Sequence, residues 1–357
     1  MIPIPPAIET LLQSKVMVGD NRPTAYIEID GEPPSQDLTD PTVWTLWRNF
    51  TSSGHAFGNI AETNDGRAIT AYAQNGDIYI AYAPTVVGIL NGTESFDYGS
   101  AIKVFENSAA DWAGCSINMI NGILYLAISY CIENYYPSGP WPNFDGAWLD
   151  VYKDTDGNGT GFAKIGTPRN ALRVQKSSWQ PSFVQELGNG TLVVGCAYGY
   201  DFGHEGKMYR SSDGGINWNS IDVPTGYYLG CHVGMRYLQY GEDAFYHTQI
   251  HSNGTHFICY YYNSGANAST YTWDAGWPSW DPELASWEII DGQVYMAEQN
   301  PAYMEVRIWQ KNDPSDLSPT SIKDPDSWTL ITTLSADALA GDLALTLASE
   351  ALILQIS

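Results

Sequence analysis

Six times along this chain, two runs of alternating apolar and polar residues are joined by a very short turn. The turns fall at Asn64–Gly66, Asn121–Gly122, Gly188–Gly190, Gly241–Asp243, Asp291–Gly292 and Ser349–Glu350. Runs such as AITAYA, DIYIAYA, TLVVGCAYG and QVYMAEQ have a period of two, the mark of strands rather than helices. The turn glycines at 66, 122, 190, 241 and 292 follow one another at intervals of 56, 68, 51 and 51 residues. Each interval holds about four short strands with their loops, the length of one blade of a β-propeller. The composition agrees. The chain has 13 Trp, 24 Tyr and 34 Gly but only 16% charged residues, which suits an all-β fold of short strands and tight turns.

The sixth unit has only two strands, LALTLA and ALILQIS, before Ser357. Its outer strands are sought at the other end, in TAYIEID (Thr24–Asp30) and VWTLWRNF (Val43–Phe50). DPTVWTLW near the start matches DPDSWTLI at 324–331, so both read as fourth strands. Pairing the two ends would remove exposed sheet edges. The expectation is a single six-bladed β-propeller over residues 24–357, closed by its termini. Residues 24–50 give the last blade its outer strands and 340–357 its inner ones. A seven-bladed ring is the alternative. Residues 1–23 read as an N-terminal docking segment, with Pro-rich IPIPP before a short helix at AIETLLQSKV; capping the bottom of the ring is the other use for it.

The formal charge, 16 − 40 = −24, sets the chain against nucleic acid phosphates and anionic lipid. No apolar run reaches the roughly 18 residues of a membrane span, and the start lacks the basic and apolar pattern of a signal peptide. Neither nucleic acid binding nor membrane insertion is expected. Cys115, Cys131, Cys196, Cys231 and Cys259 form no C-x-x-C pair and read as buried thiols rather than a zinc framework.

One turn carries more than spacing. YRSSDGGINWNS sets Ser211, Asp213, Gly215 and Trp218 at S-x-D-x-G-x-x-W, between the third and fourth strands of the third unit. It resembles the Asp-box of the sialidase-type (BNR) propeller families, with Asn217 where those usually have Thr. The resemblance implies that the Asp accepts backbone and hydroxyl hydrogen bonds, the Gly permits the turn and the Trp packs between blades. It also implies a turn away from the ligand face, so the box speaks for fold and not for chemistry. KDTDGNGTGF in the second unit looks like a lengthened relative. There Asp154, Asp156 and Asn158, followed by Gly159, repeat the first half of a calcium loop, but its twelfth position is Ile165 rather than Glu. A metal-free Asp/Asn/Gly turn is the preferred reading, and Ca2+ is the one cofactor the sequence suggests.

The ligand face of a propeller carries the loops that lead into each first strand and those joining second to third strands. The leading loops place His55, Trp112, Trp179, Tyr228 and Trp280 around one mouth of the channel, the kind of flat faces on which sugar rings stack. Two further stretches are expected to rise there as loops. CIENYYPSGPWPNFDGAW brings Tyr135, Tyr136 and Trp141, and YGYDFGHEGK brings Tyr200 and Phe202. If the chain were a hydrolase, its carboxylates would come from Asp111, Glu133, Asp201, Glu205 and Asp281. The chain has only eight Arg, and three of them converging as sialidase chemistry requires are not in view.

PPAIETLLQSKVMVGDNRPTAYIEIDG and DPSDLSPTSIKDPDSWTLI resemble stretches of phage tail-associated proteins. That resemblance implies a virion component, made in the host cytoplasm, touching cell-surface carbohydrate and docking with other virion proteins. A glycoside hydrolase and a protein-binding propeller scaffold are the alternatives.

Overall fold

A computed structural model of the chain describes residues 15–19, 22–28, 46–50, 56–90, 93–106, 112–134, 143–174, 181, 183–200, 203–221, 227–229, 238–240, 244–251, 256–261, 269–272, 284–290, 292–300, 305–322, 324–335, 343–348 and 351–356. It is all-β, with two short helices among the described residues, α1 (Val86–Leu90) and α2 (Pro319–Ile322).

The chain begins with β1 (Lys15–Gly19), β2 (Arg22–Glu28) and β3 (Leu46–Phe50). Next comes a four-stranded antiparallel sheet of β4 (Ala56–Glu62), β5 (Ala68–Gln74), β6 (Asp77–Ala83) and β7 (Ile102–Phe105), paired in chain order. The second sheet has the same order: β8 (Trp112–Ile120), β9 (Ile123–Asn134), β10 (Asn143–Asp154) and β11 (Ala163–Val174). So does the third, with β12 (Gln185–Glu186), β13 (Leu192–Tyr200), β14 (Gly203–Ser211) and β15 (Asn219–Ile221). In the fourth sheet the first strand is in two pieces, β16 (Tyr227–Leu229) and β17 (Leu238–Tyr240). Both pair with β18 (Ala244–His251), which is followed by β19 (His256–Tyr261) and β20 (Ser269–Thr272). The fifth sheet is again a four-stranded meander: β21 (Leu284–Ile290), β22 (Gln293–Asn300), β23 (Glu305–Lys311) and β24 (Trp328–Ser335). Finally β25 (Leu343–Ala348) and β26 (Ala351–Ile356) form a hairpin that joins the starting strands in the order β25-β26-β2-β1-β3.

Each turn read from the sequence joins the first and second strands of a sheet. Asn121 and Gly122, at φ 50° and 78°, have the left-handed pair of conformations that a two-residue hairpin needs. The start of the chain differs in detail from the expectation. Lys15 and Val16, the end of the anticipated helix, belong to β1, where KVMVG alternates β-branched residues that favour a strand. Residues 1–14 lie outside the described residues. β2 pairs antiparallel with β26, Thr24 opposite Gln355 through Glu28 opposite Ala351, whereas β3 pairs parallel with β1 rather than following β2.

The core lies between sheets. On β5, Ile69, Ala71 and Ala73 pack toward the second sheet with Cys115, Ile117, Leu126 and Ile128, while Ala68 and Tyr72 pack on the other side with Ile60 and Val86. A strand buried on both faces needs small residues where sheets approach, hence the alanines of AITAYA. A second cluster joins Tyr125, Ala127, Leu149 and Val151 to Val184, Val194 and Cys196 of the third sheet. A third joins Leu238 and Tyr246 to Trp287, Met296 and Trp309 of the fifth.

Candidate functional site

Strand direction divides the residues between two ends. First strands begin, and second strands meet third strands, at one end of each sheet; the short first-to-second turns and the third-to-fourth turns share the other. First strands of neighbouring sheets lie side by side, β4 with β8 and β21 with β25.

At the first end, Trp112 opens β8 opposite Cys131, Tyr228 lies within β16 opposite Ile250, and Tyr200 ends β13 opposite Gly203. His55, Trp179, Trp280, Tyr135, Tyr136, Trp141 and Phe202 lie outside the described residues. So do Asp111, Asp201 and Asp281. The described parts of the two rising stretches are paired strand, and residues 135–142 and 201–202 lie outside the described residues. Glu133 sits on β9 opposite Phe144, and β9 and β10 stay paired up to Asn134 opposite Asn143. Glu205 sits on β14 opposite Tyr198, and pairing continues to Tyr200 opposite Gly203. In these parts the alternation runs on, so backbone hydrogen bonds continue farther than a loop over the whole stretch would allow.

Sequence reading missed Glu298 on β22, two residues from that same end. Its carboxyl is 5% exposed, accepts from Trp309 Nε1 at 3.1 Å and stands opposite Arg307. Burial pushes its pKa up to about 8, against the opposing pull of Trp309 and Arg307. The signal was a charged residue in the buried run QVYMAEQ, where a carboxylate is costly unless neutral or paired.

The other end is a set of hydrogen-bonded turns. In the Asp-box turn the Ser211 hydroxyl, fully buried, donates to Asp213 Oδ1 at 2.7 Å and accepts from Gly215 N at 2.9 Å. Asp213 also accepts from Asn217 N at 2.9 Å and Asn217 Nδ2 at 2.7 Å. Backbone and side-chain donors, first Asn217 N–H and then Ser211, lower its pKa to about 2. Trp218 Nε1 donates to Gly215 O at 2.8 Å, closing the turn. The neighbouring strand β11 lies so close that a Cβ on Gly166 would stand 2.4 Å from both Gly215 O and Trp218 Nε1.

The DTDGNG turn is built on the same logic. Asp154, 2% exposed, accepts from Gly159 N at 2.6 Å, Asp156 N at 3.1 Å and Gly161 N at 3.4 Å. Its backbone carbonyls bind the first sheet. Asn64 Nδ2 donates to Asp156 O at 2.9 Å and to Gly122 O at 2.7 Å, and an Arg67 guanidinium nitrogen donates to Asn158 O at 3.1 Å. The Asp154 carboxylate is thus committed to backbone N–H groups, and the Asp156 and Asn158 carbonyls to the adjoining sheet. Among the described residues no cluster of three or more His, Cys, Asp or Glu side chains is arranged to hold a metal ion. Nor is any helix there long and apolar enough to cross a membrane.

No protein-family model matches the sequence, and no curated protein matches it. Solved structures do. The chain is similar to a protein of unknown function from Dyadobacter fermentans, at 12% identity and TM-score 0.54, over 85% of this chain and 95% of that one. It is also similar to the Hadza microbial sialidase Hz136, at 10% identity and TM-score 0.52, over 94% of this chain and 73% of that one. At such identities the likeness is one of fold, and the fold is a sialidase-like β-propeller.

Proposed function

We propose that the chain is a six-bladed propeller, closed by β2 and β26, whose first-strand end binds glycan. What supports this reading is that Trp112, Tyr200 and Tyr228 hold positions at the same strand end of the second, third and fourth sheets, and that the other mouth aromatics fall in sequence segments leading into or joining strands there. Aromatic faces stack on sugar rings, and a fold shared with a sialidase fits a carbohydrate ligand. The resemblance of both chain ends to phage tail proteins supports placing it in a virion, where it would meet carbohydrate on a host cell and dock with other virion proteins.

A glycan array probed with the purified protein tests this, with and without EDTA and again with Trp112→Ala and Trp179→Ala. Binding abolished by either substitution places the ligand at the mouth. Sensitivity to EDTA would revive the calcium reading of the Asp154 turn. Absence of binding to every glycan overturns the reading.

A further inference from the structure

Strands β9, β10 and β11 of the second sheet carry an aromatic row across one face. Trp148 on β10 stands opposite Tyr130 on β9 and opposite Asn170 on β11, so all three lie side by side on one face. The Tyr130 and Trp148 rings stack at 5.2 Å between centroids with 16° between planes, and Phe105, the last residue of β7, meets Tyr130 at 4.7 Å. Trp148 Nε1 donates to Asn170 Oδ1 at 3.0 Å, which holds the indole in one orientation. Leu149 and Asp150 beside it are buried, while Trp148 is partly buried and Asn170 exposed.

The next position along that face is Asp150, and its charge is already answered. It accepts from Thr167 Oγ1 at 2.7 Å and Tyr130 Oη at 3.3 Å, and pairs with Lys164 Nζ at 2.8 Å. Tyr130 therefore covers one face of the indole, and the face of Trp148 turned away from it is bordered by an amide and a neutralised ion pair, on a chain whose net charge is −24. An oriented aromatic face stacks on the C–H face of a sugar, an exposed amide serves its hydroxyls, and the overall charge disfavours anionic ligands. We propose that the indole of Trp148, backed by Tyr130, and the Asn170 amide form a platform for a neutral oligosaccharide on one face of the second sheet. This rests on the glycan-binding reading and adds to it a second position and a preference for uncharged sugars.

The test is calorimetric titration of the full-length protein with linear neutral glucose, galactose and mannose oligomers and with sialylated oligosaccharides. Wild type, Trp148→Ala and Asn170→Ala are compared, and a thermal melt confirms that each is folded. At least one neutral oligomer should bind wild type, weaken at least about tenfold in Trp148→Ala, and weaken measurably in Asn170→Ala. Asn170 is exposed, so its variant decides the matter even if Trp148→Ala fails to fold. Neutral oligomers that bind both platform variants as they bind wild type overturn the platform. So does binding confined to sialylated probes, which would leave the glycan reading standing. If no probe binds wild type, both fall.

Discussion

At the scale of residues, the polar groups that matter most are those of the turns and the buried carboxyl of Glu298. Ser211 is fully buried, with its oxygen on both Gly215 N and Asp213. Ser211→Ala therefore leaves a buried N–H without its acceptor and should destabilise the protein by about 1–3 kcal/mol in urea unfolding. Asp213 is held near pKa 2, below its ordinary 3.8, so the stability it gives is present above pH 3.8 and lost as pH falls through about 2. Acid unfolding of Asp213→Asn should thus differ most from wild type above pH 3.8 and converge with it at the acid end. Glu298 behaves in the opposite sense. Its folded pKa, about 8 against 4.5, means that the folded chain holds a proton the unfolded chain releases. Stability should fall as pH rises from 4.5 to about 8 and level off above. Glu298→Gln keeps an acceptor for Trp309 and removes that slope, with a gain on the order of a few kcal/mol at pH 8; thermal melts across pH 4–9 measure it.

At the scale of elements, the seams between sheets matter more than the strands themselves. β11 meets the Asp-box turn at Gly166, and there Gly166→Ala must displace both the Gly215 carbonyl and the Trp218 indole. Overpacking of this kind costs about 1–3 kcal/mol. Denaturant unfolding of Gly166→Ala should show that loss, and Trp218→Phe, which removes one of the two clashing groups, should lessen the added cost in the double variant. The seam between first and second sheets depends on Asn64, which spans two turns of the next sheet from one amide. This is why Asp, Asn and Gly crowd the DTDGNG stretch: the turn has to cap itself and expose its carbonyls outward. Spacing alone could suggest calcium there, because a self-capped turn and half a metal loop use the same residue types.

At the scale of the whole molecule, the first and last strands hold each other. β2 and β26 exchange hydrogen bonds along five residue pairs, and β26 would become an open edge without β2. Deleting residues 1–30 should therefore leave a chain that associates or aggregates, whereas the full chain stays dispersed; size-exclusion chromatography with light scattering distinguishes the two. The twofold placement of strands from opposite ends in one sheet also makes folding depend on contacts of the greatest sequence separation, which form slowly.

The sequence by itself determined that this is an all-β protein of repeated hairpins, where its short turns fall, and that its two ends supply strands to one sheet. Those features are local: a period of two and a left-handed turn are written in consecutive residues. Tertiary structure alone decided that the strand of β1 displaces the end of an expected helix, that YGY and GHEGK of YGYDFGHEGK are paired strands, and that Glu298 is a buried acid. It alone placed Trp148 beside Tyr130 and Asn170, because a row across three strands joins residues 18 to 40 positions apart whose proximity comes from register. Burial and cross-strand neighbours depend on which sheet lies alongside, and no stretch of consecutive residues contains that.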